Sequence, residues 1–80
     1  MLYPCDVAVS RDTGEIVVAD TGNHRLVVFN AVGQYLRSLG ADDEGRGRLE
    51  QPVSLAVHSS MGIVYVSDGL SQRMHSLPLQ

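Results

Sequence analysis

Metal binding or nucleophilic chemistry in this chain would have to use its three histidines or its single cysteine. These residues are Cys5, His24, His58 and His75. No two of them lie within four positions of each other, so the spacing of a zinc ligand pair is missing. Cys5 has no basic neighbour in sequence that would activate it, and we expect an inert, buried thiol. No Gly-x-Ser-x-Gly, P-loop or paired-carboxylate motif is present.

The composition describes a small acidic chain that packs a core. Its 80 residues include six Arg, no Lys and nine acidic residues, for a formal charge of −3, which gives no basic surface of the kind that nucleic-acid binding normally needs. A hydrophobic share of 44% against 19% charged residues is too apolar for a disordered tail. No apolar run approaches the ~20 residues of a membrane span, and no export signal follows Met1. We expect a cytoplasmic chain with no membrane partner.

An internal repeat organises the chain. A shift of 48 residues, from Pro4 to Pro52, aligns seven identical pairs without a gap. The pairs are Pro4 with Pro52, Ala8 with Ala56, Val9 with Val57, Gly14 with Gly62, Val18 with Val66, Asp20 with Asp68, and Arg25 with Arg73. A period of this length suits a four-stranded β unit better than a two-helix repeat of about 33 or 34 residues.

Short apolar blocks bounded by Gly, Asp and Asn predict β-strands in both units. The predicted strands are residues 7–9, 16–19, 26–29 and 34–39 in the first unit, and 53–57, 63–67 and 72–77 in the second. The blocks are continuous rather than alternating, which indicates sheets covered on both faces. Gly14, Gly22 and Gly33 stand in the connections of the first unit, where we expect a hairpin with positive φ at glycine.

These motifs resemble the NHL-repeat family of β-propellers, of the tripartite-motif type. In the first unit the resemblance rests on Ile16-Val17-Val18-Ala19-Asp20 followed by Thr21-Gly22-Asn23-His24-Arg25. The second unit retains Asp68 and Arg73, but Leu70-Ser71-Gln72 departs from the Gly-Asn-His of the first. The resemblance implies an all-β propeller segment of about two four-stranded antiparallel blades with seven strands, an open fragment of a ring expected to have six blades.

The implied organisation has three parts. Residues 1–40 form the first NHL blade, residues 41–51 a glycine-rich linker, and residues 52–80 an incomplete second blade of three strands. Two blades cannot close a ring, and each end of the pair would expose an apolar sheet face. The remaining blades of a longer protein, or further copies of the chain arranged head to tail, would cover these faces. The thin core of so short a chain favours the longer protein.

The candidate site residues fall into two groups. Asp20 with Arg25, and Asp68 with Arg73, flank the same turn in both units, which favours a structural role in that turn. The proposed partner-binding residues are Asn23, His24, Arg46 and Arg48. Counting antiparallel reversals places the turn at residues 20–25 and the linker on one side, here called the loop face. Propellers of this family usually bind partners on that side, by resemblance.

The positions of the histidines in the predicted strands also argue against a metal site. His24 lies on the loop face, whereas His58 ends a strand and points to the opposite rim, about 15 Å away. His75 falls within a strand, where a packed or surface histidine is expected. We therefore expect no metal, no cofactor and no catalytic residue.

The resemblance implies three functions in order of preference. The first is a non-enzymatic scaffold that binds a protein or peptide on the loop face, such as the substrate-binding or partner-binding domain of a tripartite-motif E3 ubiquitin ligase. The second is an RNA-binding propeller in post-transcriptional regulation, which the acidic balance disfavours. The third is an enzyme resembling peptidylglycine lyase. There the resemblance puts a zinc-binding histidine at the position of Val53, which offers no lone pair.

Overall fold

The computed structural model describes residues 4–40, 52–69 and 73–79, and within these ranges the fold is all-β. Seven strands are present, in agreement with the sequence prediction. They are β1 (Pro4–Val9), β2 (Ile16–Asp20), β3 (Arg25–Phe29), β4 (Tyr35–Leu39), β5 (Pro52–His58), β6 (Ile63–Asp68) and β7 (Arg73–Pro78). The described residues contain no helix long and apolar enough to cross a membrane.

The strands form two antiparallel sheets. The first sheet has the order β1-β2-β3-β4 and the second the order β5-β6-β7, so every strand pairs with its neighbour in sequence. The first strand of each sheet carries an irregularity at the same place in the repeat, between Pro4 and Val7 in β1 and between Pro52 and Ser54 in β5. The repeat seen in the sequence is therefore a repeat of strand register as well.

The turns agree with the sequence prediction at two glycines and differ at a third. Gly14 and Gly33 have φ of 75° and 89°, as expected for glycine in tight connections. The connection between β2 and β3 is a 3-10 turn over Thr21–Asn23, and its left-handed residue is His24 at φ 57°, so the expectation for Gly22 is wrong. The left-handed position falls on His24 because His24 is the C-cap of the 3-10 turn, and its N–H donates to the carbonyl of Thr21, the first residue of the turn, at 3.1 Å.

The two sheets pack face to face over one hydrophobic core. All core side chains are at most 2% exposed. They are Val17, Ala19, Leu26 and Val28 from the first sheet, and Val64, Val66 and Leu79 from the second sheet and the residue that follows it. In β2 and β3 these residues alternate along the strand, because successive side chains point to opposite faces.

Polar contacts join the sheets around this core. Asp6 accepts the N–H of its neighbour Val7 with Oδ1 and the N–H of Leu55 with Oδ2, both at 2.9 Å. The Arg37 Nε donates to the Leu79 carbonyl at 2.8 Å. No sequence pattern indicates these links, because the partners stand 42 to 49 positions apart and belong to no motif. Ser54 takes the place of Asp6 in the second unit, so the carboxylate that joins the sheets through the Leu55 N–H is not part of the repeat.

The two outward faces differ from each other. On the first sheet Val7 and Tyr35 are each more than half exposed, as expected for a face that another sheet would cover. The outward face of the second sheet mixes serine side chains with apolar ones, among them Met74 at 72% exposure. Its residues are Ser54, Ala56, His58, Ile63, Tyr65, Ser67, Met74, Ser76 and Pro78.

Replacing Leu26 with alanine should lower the free energy of unfolding by about 3 kcal/mol, because a fully buried leucine leaves a cavity between the sheets. Val32→Ala is the control, since Val32 is 80% exposed and its loss should change stability by less than about 0.5 kcal/mol. Urea denaturation of both variants measures the difference. Equal effects would contradict the assignment of the core.

Asp6→Ala should cost about 1 to 3 kcal/mol of unfolding free energy, because it leaves the part-buried Leu55 N–H without an acceptor. Ser54→Ala changes the equivalent position of the second unit, where the side chain is exposed, and should be near neutral. The same denaturation experiment compares the two. If Ser54→Ala destabilised the chain as much as Asp6→Ala, the inter-sheet link would not be the cause.

Candidate functional site

The loop face is organised around the turn between β2 and β3. The Thr21 hydroxyl donates to the Pro52 carbonyl at the start of β5. This contact places the β2–β3 turn on the same side of the sheets as the end of the linker. The linker itself, residues 41–51, lies outside the described residues.

A fully buried carboxylate, that of Asp20, holds the turn in shape. Its Oδ2 accepts from the Arg25 Nε and from the Asn23 Nδ2, each at 3.0 Å. Arg25 continues the network through its Nη1, which donates to the Ser38 hydroxyl at 3.3 Å, and Ser38 lies 3.1 Å from the Tyr35 hydroxyl. A buried charge is tolerated only when it is paired and hydrogen-bonded, so these contacts are what allow β2 to end on an aspartate.

The network decides what the turn can present to a partner. The Arg25 side chain is about two-thirds buried and committed to Asp20, so little of its charge faces solvent. Asn23 and His24 are exposed at the tip of the turn, beside each other. Of the four predicted partner-binding residues, the structure therefore brings these two together. The other two, Arg46 and Arg48, lie outside the described residues.

The second unit repeats the turn pair with one addition. Asp68 is buried, and it lies opposite Arg73 in the strand register, as Asp20 lies opposite Arg25. His75 stands with its Nε2 3.8 Å from the Asp68 Oδ2, at the position that Val27 occupies in the first unit. Within the described residues that ring nitrogen is buried without a hydrogen-bond partner.

The remaining candidates for metal or thiol chemistry are scattered. His58 ends β5 at the rim opposite to Pro52, a strand of seven residues away from the loop face that carries His24. No group of three His, Cys, Asp or Glu side chains in the described ranges is placed to hold a metal ion. Cys5 is exposed, and the expectation of a buried thiol is wrong because β1 is the edge strand of its sheet.

The opposite rim holds a groove that the sequence analysis did not anticipate. It has a volume of about 580 Å³ and lies where the β1–β2 connection meets the 3-10 turn after β5. The lining residues are Val9, Arg11, Asp12, Val57, His58, Ser59 and Ser60. Three of them come from the first unit and four from the second, so no local sequence signal could have found the groove. A contact between units depends on how the two sheets pack.

The comparisons with known proteins match the repeat. The family model for the NHL repeat matches residues 1–29. Two relatives named NHL repeat-containing protein 2, from Gallus gallus and Homo sapiens, are each 30% identical over an 87-residue alignment that covers 100% of this chain. A further relative, Protein brain tumor of Drosophila melanogaster, is 40% identical over 42 residues, or 51% of this chain.

These alignments cover only a small part of the relatives. The chain spans 12% of the length of the two NHL repeat-containing proteins and 4% of Protein brain tumor. The similarity therefore concerns the repeats and not the whole of those proteins.

Asp20→Ala should destabilise the chain by about 2 kcal/mol or more, because the part-buried Arg25 guanidinium and the Asn23 amide lose their common acceptor. Asp12→Ala removes an exposed carboxylate and should be near neutral. Chemical denaturation gives the free energies. A double-mutant cycle with Arg25→Ala should show coupling of at least about 0.5 kcal/mol, and additive effects would contradict the pairing.

Proposed function

The chain belongs to the NHL-repeat family, and we propose that it is part of a non-enzymatic propeller that binds a protein or peptide partner on its loop face. The observation that carries this proposal is the turn between β2 and β3. Asp20 is buried and accepts hydrogen bonds from both Asn23 and Arg25, which restrains the turn before any partner arrives. A binding loop that is already ordered loses less conformational entropy on association.

Exposed polar groups at the tip of this turn supply the contacts. Asn23 and His24 are exposed in this turn, and the Thr21 contact places Pro52 beside it. Arg46 and Arg48 precede Pro52 by six and four positions in sequence, and we propose that they join the same surface. Together they offer amide, imidazole and guanidinium groups, which suit the carboxylates and carbonyls of a protein surface. The sequence of the same linker also contains Asp42, Asp43 and Glu44, so its charge is mixed. Mixed charge favours a protein partner over a polyanion.

Two considerations support a role without catalysis. The relatives are named for their repeats and not for a reaction. Val53, which takes the place of the zinc-binding histidine in the lyase resemblance, has only a hydrocarbon side chain and cannot bind a metal. The proposal therefore assigns binding to this chain and leaves any chemistry to other domains.

RNA binding is the alternative function on the same face. It would require phosphate neutralisation by Arg46 and Arg48 and stacking on exposed aromatic side chains. The formal charge of −3 and the pairing of Arg25 with Asp20 and of Arg37 with Glu15 leave few cations for that task. Protein binding is therefore preferred. By resemblance alone, we further propose a cytoplasmic parent protein of the tripartite-motif ubiquitin ligase type, in which this segment would help to recognise substrates or partners.

The Arg46→Ala/Arg48→Ala double variant and His24→Ala test the loop face. The full-length protein that contains this segment is used to capture partners, which are identified by mass spectrometry, purified and titrated against each variant. We expect each variant to weaken the affinity for the purified partner by about two- to fivefold, since one exposed charge pair contributes up to about 1 kcal/mol. Val32→Ala, at the exposed β3–β4 turn on the opposite rim, is the control and should bind normally.

A salt titration separates the two functions. Protein binding should weaken only modestly between low and moderate salt. Binding to a single-stranded oligouridine should instead fall steeply, with a logarithmic slope of about −0.7 per phosphate contacted. Unchanged partner affinity in both loop-face variants would overturn the assignment of this face. The alternative function would be favoured if oligouridine bound tightly, if its affinity fell steeply with salt, and if Arg46→Ala/Arg48→Ala abolished that binding. The partner on the loop face would then be RNA and not a protein.

A further inference from the structure

The groove on the rim opposite to the loop face is a built junction between the two repeats. The Arg11 backbone N–H donates to the Ser59 hydroxyl oxygen at 2.9 Å, across 48 positions of sequence. This contact joins the end of β1 to the turn that follows β5. Val9 and Val57, the last apolar residues of those two strands, give the groove an apolar lining beneath its polar edge.

Several hydrogen-bonding groups in this groove are not used up by the junction. Ser59 accepts the Arg11 N–H with its oxygen, which leaves its own O–H able to donate to a ligand. The Ser60 Oγ lies 3.3 Å from the His58 Nδ1 at the groove wall. This hydrogen-bonded pair can orient one donor and one acceptor towards a ligand.

The charges in the groove differ from those elsewhere in the described residues. Arg25 is paired with Asp20, and Arg37 is paired with Glu15 at 3.1 Å. Arg11 and Asp12 are both exposed, and no hydrogen bond or ion pair of either side chain occurs within the described part of the chain. The groove therefore presents a positive and a negative side chain in consecutive positions.

We propose that this groove binds an extended peptide segment in which an acidic residue stands next to a basic residue. The Arg11 guanidinium and the Ser59 O–H would bind the peptide carboxylate, and Asp12 would bind the neighbouring base. Val9 and Val57 contact the aliphatic parts of the peptide. The charge pattern fits such a segment, and a groove that is open along the rim suits an extended chain. This site goes beyond the proposed function, because it lies on the other rim and uses other residues.

The test uses a fluorescein-labelled peptide, capped at both ends, with the sequence Gly-Val-Glu-Lys-Val-Gly. Fluorescence polarisation measures its affinity for the full chain. The matched probe has Gln-Gln in place of Glu-Lys, and it should bind at least about fivefold more weakly, the range expected for exposed ion pairs. Arg11→Ala should weaken the Glu-Lys probe by a similar factor. It should leave the fold intact, because the inter-sheet bond comes from the backbone N–H.

Charge reversal makes the test more specific. The double variant Arg11→Asp/Asp12→Arg should prefer the probe with the order Lys-Glu over the original Glu-Lys, which a change in stability alone would not produce. Arg11→Gln, which keeps most of the side-chain length, should weaken the probe as Arg11→Ala does. His24→Ala on the loop face is the control and should bind the probe normally, so a failure of this site and a failure of the loop face are distinguishable.

Three results would overturn the proposal. One is equal affinity of the native chain for the Glu-Lys and Gln-Gln probes. Another is unchanged binding in both Arg11 variants. The last is a reversed double variant that still prefers Glu-Lys.

Discussion

Burial of one face of each sheet against the other sheet is the physical constraint on which this molecule depends. The aliphatic face of the first sheet closes on the second sheet, and it is this packing that gives Val17, Leu26 and Val64 an environment without water. A short chain hides a modest fraction of its surface, so one shared core between two sheets must do most of the stabilising. Asp6 adds a directional link, because a buried N–H that lost its acceptor would cost free energy.

The same packing of the two sheets determines where the loop face and the opposite rim lie. Stacking the sheets puts the β2–β3 turn beside the start of β5, and Thr21 joins them through the Pro52 carbonyl. At the other end it puts the β1–β2 connection beside Ser59, and the Arg11 N–H joins them there. One packing arrangement therefore creates a loop face and an opposite rim, each built from residues of both repeats.

The two rims have different electrostatic character. On the loop face the strongest charges hold the structure, since Asp20 is buried and Arg25 is bound to it. What remains for a partner is the tip of the turn, with Asn23 and His24 exposed. On the opposite rim Arg11 and Asp12 are exposed side by side, next to a groove. A rigid turn and an uncommitted charge pair are different means of recognition, which allows the two rims to serve different ligands.

Sequence by itself determined the strands, the 48-residue repeat and the family, because each depends on local patterns of apolar blocks, glycines and matched turns. It also predicted that Asp20 lies near Arg25, since a tight turn leaves the residues at its two ends opposite each other. Only the tertiary structure decided that His24, and not Gly22, is left-handed, and that Asp6 and Ser59 form links 48 or 49 positions away. The physical reason is that a contact between sheets depends on their separation and alignment, which no short stretch of sequence encodes.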